Sequence, residues 1–189
     1  QVSIMDATIV EAHQLRGETK DVEAGWCVKK NAQGKQTATY GFKIHTNCDE
    51  DGFILRQEVT PGNVYDGNKR EDLLTGEESQ LYADSVYDSK EGRAKLQRRG
   101  VQNRVQRKGC KNKKLNQADH DWNEEVGVAR AIIEHQFAEY KERYALRRTR
   151  FMGLLMNACH AGLAAITHNL KKGLAFYRRY GLPNHQIAG

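Results

Sequence analysis

Ile4, Asp6, Thr8 and Val10 alternate with Met5, Ala7 and Ile9, a period-two pattern that predicts a strand within the first ten residues. No initiator Met precedes it, so the chain is expected to be a fragment or a trimmed domain. Residues 14–39 are polar and Gly-containing and read as a loop. Tyr40 to Thr46 predicts a second strand, Asp49-Glu50-Asp51-Gly52 a turn, and Phe53 to Thr60 the returning strand of a hairpin that Pro61-Gly62-Asn63 stops. A short helix is expected over Asn68 to Leu74 and a brief strand over Gln80 to Asp84. Asp88-Ser89-Lys90-Glu91 then has the form of a capping box for a helix to about Arg99, which Gly100 ends. Val101 to Gln106 reads as the last strand. Two long helices follow, from about Asn123 to Tyr144 and from about Gly153 to Lys171. This order predicts a mixed α/β domain with helices on a central sheet.

Composition narrows the classes. The 189 residues suit one domain with a real core, at 39% hydrophobic and 29% charged. The longest apolar stretch, Gly153 to Ile166, falls short of the ~18 residues of a membrane span, so no membrane role is expected. Cys27, Cys48, Cys110 and Cys159 form no CxxC pair and read as reduced, cytoplasmic cysteines. The net charge of +6 conceals a division. Residues 1–89 hold 9 basic and 16 acidic side chains, a net of −7, and residues 90–189 hold 21 and 8, a net of +13. That asymmetry fits a polyanionic partner engaged by the second half, or an ordinary solvated surface.

Three carboxylates are candidates for chemistry. Asp6 sits inside an apolar strand, where a charge is costly unless paired. Asp84 ends a short strand, a position where ligands gather in such sheets, although capping of the next turn would also explain it. On the first long helix, at 100° per residue, Arg130, Glu134 and Lys141 share a wedge of about 40°. The stripe of Val126, Ile133, Phe137, Tyr140 and Tyr144 lies alongside, which puts Glu134 at the edge of the buried face. An i,i+4 ion pair of Arg130 with Glu134 is the plain alternative. Three carboxylates from two strands and a helix suit Mg²⁺, and two such ions can serve an in-line phosphoryl displacement. No HExxH, GxxxxGK[ST] or GxGxxG competes with that reading.

These segments, taken in order, resemble bacterial insertion-sequence transposases of the DDE class. The resemblance rests on Asp6 to Ala12, Tyr40 to His45, Thr60 to Asp66, Tyr82 to Asp88, Tyr144 to Phe151 and Asn157-Ala158. Arg130, Glu134 and Lys141 also hold the last three positions of the family signature of Tyr, two residues, Arg, three residues, Glu, six residues, Lys. Gly127 stands at the signature Tyr position. The family's usual N-terminal segment, which binds transposon ends, is expected to be missing.

The resemblance implies a ribonuclease-H-like mixed sheet flanked by helices over residues 1–174, with 175–189 as a C-terminal tail. It implies a catalytic, metal-binding triad of Asp6, Asp84 and Glu134 holding two Mg²⁺ or Mn²⁺ ions. The chemistry implied is cleavage at insertion-sequence ends followed by strand transfer into target DNA. Arg130 and Lys141 would contact phosphate or orient Glu134. Arg147, Arg148 and Arg150, with Arg107, Lys108 and Lys111 of the basic loop, would add sequence-independent DNA contacts. A cytoplasmic homodimer on DNA is implied as well. The alternatives are a truncated or degenerate transposase that binds DNA without cutting it, and a metal-dependent nuclease of the same fold.

Overall fold

The period-two segment at the start of the chain becomes the middle of a six-stranded mixed sheet. The computed structural model describes residues 1–13, 20–30, 34–110 and 114–181. Strand β1 (Val2–Glu11) runs antiparallel to β3 (Gln36–Cys48) on one side and parallel to β5 (Gln80–Ala83) on the other. β6 (Gln102–Val105) extends the parallel side. The long β3 pairs with two antiparallel strands along its outer edge: β2 (Gly25–Lys30) over residues 36–41, and β4 (Ile54–Pro61) over residues 42–48. Gly41 marks the crowded point of this arrangement. A Cβ there would lie 2.0 Å from the Val10 carbonyl oxygen, so no larger residue fits.

The β3–β4 turn closes as its composition demands. Asp49 Oδ1 accepts from the backbone of Asp51 at 3.1 Å and of Phe53 at 2.8 Å. Gly52 takes φ +80°, a left-handed conformation that glycine adopts without a Cβ penalty.

Helices cover both faces of the sheet. On one, α1 (Arg70–Leu73) and α2 (Lys90–Arg98) enclose Met5, Leu73, Leu81, Ala83, Tyr87 and Leu96. On the other, α3 (Gln117–Arg143) and α4 (Leu154–Tyr180) enclose Ile4, Val10, Ile44, Ile133, Phe137 and Tyr140. The alternation read in β1 therefore separates two cores. Ile4, Asp6, Thr8 and Val10 share the parity that faces α3.

Three departures from the sequence reading have physical causes. Residues 14–39 are not all loop, because they include β2 and the start of β3. β2 is an outer strand whose large apolar residues, Trp26 and Val28, are 50% and 58% exposed, while only the small Gly25 and Cys27 turn inward, too weak a pattern to mark a strand. α3 begins at Gln117, ahead of the expected Asn123. Its first turn has no apolar period and is fixed by a capping box, with Asn116 Oδ1 accepting from Asp119 N at 2.8 Å and Asp119 accepting from Asn116 N at 3.2 Å. α4 runs on to Tyr180, so residues 175–180 are helix. Lys171-Lys172-Gly173 has the composition of a helix end, yet Gly173 stays helical and Gly181, at φ +77°, closes the helix. The rest of the expected tail, 182–189, lies outside the described residues.

Candidate active site

Asp6 and Asp84 are brought side by side by strand register. β1 and β5 pair in parallel with Ile4 opposite Tyr82 and Met5 opposite Ala83. The next residues on, Asp6 within β1 and Asp84 just past the end of β5, are close enough for the Asp84 charge to act on Asp6. Asp84 also caps the short 3-10 turn Ser85–Tyr87, its Oδ1 accepting from Ser85 Oγ at 2.9 Å and from Val86 N at 3.4 Å. The plain capping role is thus real, and the placement next to Asp6 is additional to it.

The cost of Asp6 inside the sheet is met by a long-range partner. Arg130 Nη2 on α3 donates to Asp6 Oδ2 at 2.7 Å, and Ala7 N donates to Oδ1 at 2.8 Å. Burial still pushes the Asp6 carboxyl above its ordinary range. Arg130 and the Ala7 amide pull it down, and the Asp84 charge adds to the rise. Arg130 is itself buried. Its Nη1 reaches Gln106 Oε1 at 3.4 Å and Glu134 Oε1 at 3.6 Å, while its Nε is buried without a partner. One guanidinium therefore spans Asp6 and Glu134. The i,i+4 contact with Glu134 is the looser of the two, and the Glu134 side chain is 59% exposed. Glu134 faces solvent more than the edge position on the helix suggested.

Beyond Glu134, a cleft of about 370 Å³ is lined by Thr8, Phe137, Ala138, Lys141 and Arg147 among others. The Lys141 ammonium is lowered from its ordinary pKa by burial first, then by the positive charges of Lys29 and Arg147. Three cations held this close repel one another, an arrangement that an anion would relieve. Lys29 was missed by sequence reasoning because it lies on β2, within the stretch read as loop. Gln106 was missed because only the fold brings the end of β6 to Arg130.

The other basic candidates scatter. Arg148 is paired with Glu11 at 2.6 Å, and Arg107 with Asp119 at 2.7 Å while its guanidinium stacks over Trp122. Arg150 and Lys108 are exposed. Lys111 lies outside the described residues.

Gly127, at the signature Tyr position, sits one turn before Arg130. A Cβ built there has only Gln106 Nε2 nearby, at 3.9 Å, so the space for a side chain remains open. Gly127→Ala should therefore raise stability by about 1 kcal/mol through helix propensity alone. Urea unfolding checks this, and a loss of stability would show that the position is tighter than the structure indicates.

The motif residues of β3 and the segment after β4 fasten the opposite face of the sheet. Lys43 Nζ donates to Asp66 Oδ1 and to the Val64 carbonyl, both at 2.8 Å. His45, fully buried, has Nε2 2.8 Å from Thr60 Oγ1, and burial lowers its pKa to about 4, so the ring is neutral. The Tyr87 hydroxyl is buried nearby, its pKa raised by burial and then by the charges of Asp6, Asp66 and Asp84. These groups back the carboxylate-bearing strands without opening onto the cleft.

A roomier pocket, about 620 Å³, lies elsewhere, between α3, α4 and the β3–β4 turn. There His168 contacts Glu139 through Nδ1 at 3.0 Å, and Lys171 pairs with the same carboxylate. These contacts fasten α4 to α3. Among the described residues no three His, Cys, Asp or Glu side chains converge closely enough to cage a metal ion. What the site offers is Asp6 within β1, Asp84 just past the end of β5, and Glu134 on α3, joined to Asp6 through Arg130.

The family described as Transposase DDE domain matches residues 1–170. The chain is 29% identical, over 90% of its length, to the transposase for insertion sequence element IS1106 of Neisseria meningitidis serogroup B, and it spans 64% of that protein's length. No solved structure matches the chain.

Proposed function

The chain belongs to the Transposase DDE domain family, and on that footing we propose that it is the catalytic part of an insertion-sequence transposase, cutting and joining DNA strands at the element's ends. The observation that supports this reading is the parallel β1–β5 register, which leaves Asp84 one residue past the Met5–Ala83 pair while Arg130 touches both Asp6 and Glu134. A ribonuclease-H-like sheet is part of the proposal. It is supported by three antiparallel strands (β4, β3, β1) continued by two parallel ones (β5, β6), with acidic residues on β1 and just after β5.

The donor set fits a hard divalent cation. Asp6 is poorly solvated and feels a like charge from Asp84, so a positive group is required there, and Arg130 supplies one. Magnesium binds through one or two carboxylates plus substrate phosphates and its own waters, so an open site without a protein cage suits it. Asp6, Asp84 and Glu134 would hold Mg²⁺ or Mn²⁺, which when bound activates the attacking oxygen and offsets charge on the leaving one.

Arg130 orients the Asp6 carboxylate and keeps Glu134 within reach. Lys141, Arg147 and Lys29 draw the phosphate backbone into the cleft beside Glu134 without reading its sequence. Among the described residues no helix is long and apolar enough to cross a membrane. Action on DNA in the cytoplasm, as a homodimer on paired ends, belongs to the same proposal.

The test is cleavage of a duplex carrying the element's inverted repeats. Nicking at the ends in Mg²⁺ or Mn²⁺, abolished by EDTA, is the expected result. Salt-sensitive DNA binding without cleavage in either metal would instead favour a protein that binds and does not cut. Equal cleavage of unrelated DNA would favour a general nuclease.

A further inference from the structure

α4 carries two apolar faces, and only one of them is used. Asn157, Ala161, Ala164, Ala165 and His168 are buried against the rest of the fold. Roughly opposite, at about 170° around the helix, Met156, Leu163, Leu170 and Tyr177 recur every seven residues, with Cys159 and Ile166 three positions after the first two. This is the spacing of a helix-pairing seam. Seven side chains on this side, from Leu155 to Tyr177, are 48–75% exposed. At roughly 100 Å² each they present on the order of 700 Å², more than the largest patch on a typical monomer and close to one partner's share of a standard interface.

We propose that a second copy of the chain covers this face, with the two α4 helices antiparallel about a two-fold axis level with Ala164 and Ala165. The seam is symmetric about that level. Leu163 then lies beside the partner subunit's Ile166, Cys159 beside the partner subunit's Leu170, and Leu155 beside the partner subunit's Leu174.

Charge selects the direction. No Asp, Glu, Lys or Arg occurs from Leu154 to Leu170, and the helix's charges, Lys171, Lys172, Arg178 and Arg179, are all basic and all near its end. Antiparallel pairing sets each basic end beside the partner's uncharged half. Parallel pairing would crowd eight cations together. This surface gives the dimer of the proposed function a location, and it is tested without DNA or metal, so its failure is distinct from failure of the catalytic reading.

Sedimentation velocity of the 189-residue chain should show a dimer, and Leu163→Glu should give a folded monomer, because Leu163 is 65% exposed and the fold does not lean on it. Direction is read by cross-linking in a Cys110→Ser background, where Cys159 is the exposed thiol left; Cys27 and Cys48 are buried. Adding Leu170→Cys should produce a disulfide-linked dimer under mild oxidation. Cys159 alone should not, since the two copies of it would lie about 16 Å apart along the seam. A chain monomeric at about 100 µM, a dimer that survives Leu163→Glu, or ready Cys159–Cys159 cross-linking would each overturn the proposal. The first of these would assign the face to another segment of a longer polypeptide or to a different protein. Should Leu163→Glu fail to fold, the cross-linking pattern decides alone.

Discussion

Arg130→Ala should destabilise the fold by about 3 kcal/mol near neutral pH, because it leaves the Asp6 carboxylate inside the sheet without its counter-ion. The Arg130 and Asp6 side chains are only 10% and 20% exposed, so solvent does little to screen the loss. The effect has a pH signature. Even with Arg130 present, Asp6 holds its proton to higher pH than in an unfolded chain, since burial outweighs the guanidinium. The folded state therefore binds more protons in that window, and stability falls as pH rises through it. Removing Arg130 raises the Asp6 carboxyl further and widens the window upward. The deficit of the variant should be largest near neutral pH and shrink as the solution is acidified and the folded-state Asp6 takes up its proton. Asp6→Asn in the Arg130→Ala background should restore most of the stability. Urea unfolding across this range reads all three quantities, and a deficit independent of pH would show that Arg130 acts through packing alone.

Asp84→Asn and Glu134→Gln should each reduce metal-dependent strand cleavage by on the order of 10²–10³-fold or more, the scale of losing one preorganised charge at a reacting phosphate. Both should leave the fold intact, which makes them the informative variants. Asn caps a turn as well as Asp does, so the hydrogen bonds to Ser85 and Val86 survive in Asp84→Asn. Glu134 is largely exposed, and its loss should change stability by less than about 0.5 kcal/mol. Asp6→Asn is less clean, because it also strands the buried Arg130. Lys141→Ala and Arg147→Ala should act differently, weakening DNA binding on all sequences and lowering the salt dependence of affinity by about one unit each. Cleavage assays beside equilibrium unfolding separate these outcomes. Retention of cleavage in Glu134→Gln would remove the helix carboxylate from the site.

The features legible in the sequence were those set by local pattern. The alternation in β1, the Asp49–Gly52 turn and the shared wedge of Arg130, Glu134 and Lys141 all follow from spacing within a few residues. An Asp in an apolar strand announced that a partner was needed. Its identity was not legible, because Arg130 lies 124 positions away and only the packing of α3 on β1 brings them together. Read along the helix, Arg130 belonged to Glu134; in the fold, its shorter contact is to Asp6. Lys29 stayed hidden for a related reason. β2 shows its large apolar residues, Trp26 and Val28, to solvent, so nothing in the pattern declared a strand that brings a cation near Lys141. Asp84 could be assigned to a strand end, but its position beside Asp6 depends on parallel register, which no local signal fixes.

On the proposed function, Asp6, Asp84 and Glu134 form one site for a divalent ion. Titration of the chain with Mn²⁺, followed by loss of the free-ion electron paramagnetic resonance signal, tests it without requiring turnover. Uptake by the unaltered chain, weakened at least ~10-fold in both Asp84→Asn and Glu134→Gln and unchanged in Lys141→Ala, is the predicted result. No uptake, or equal uptake by the unaltered chain and both carboxylate variants, would contradict it.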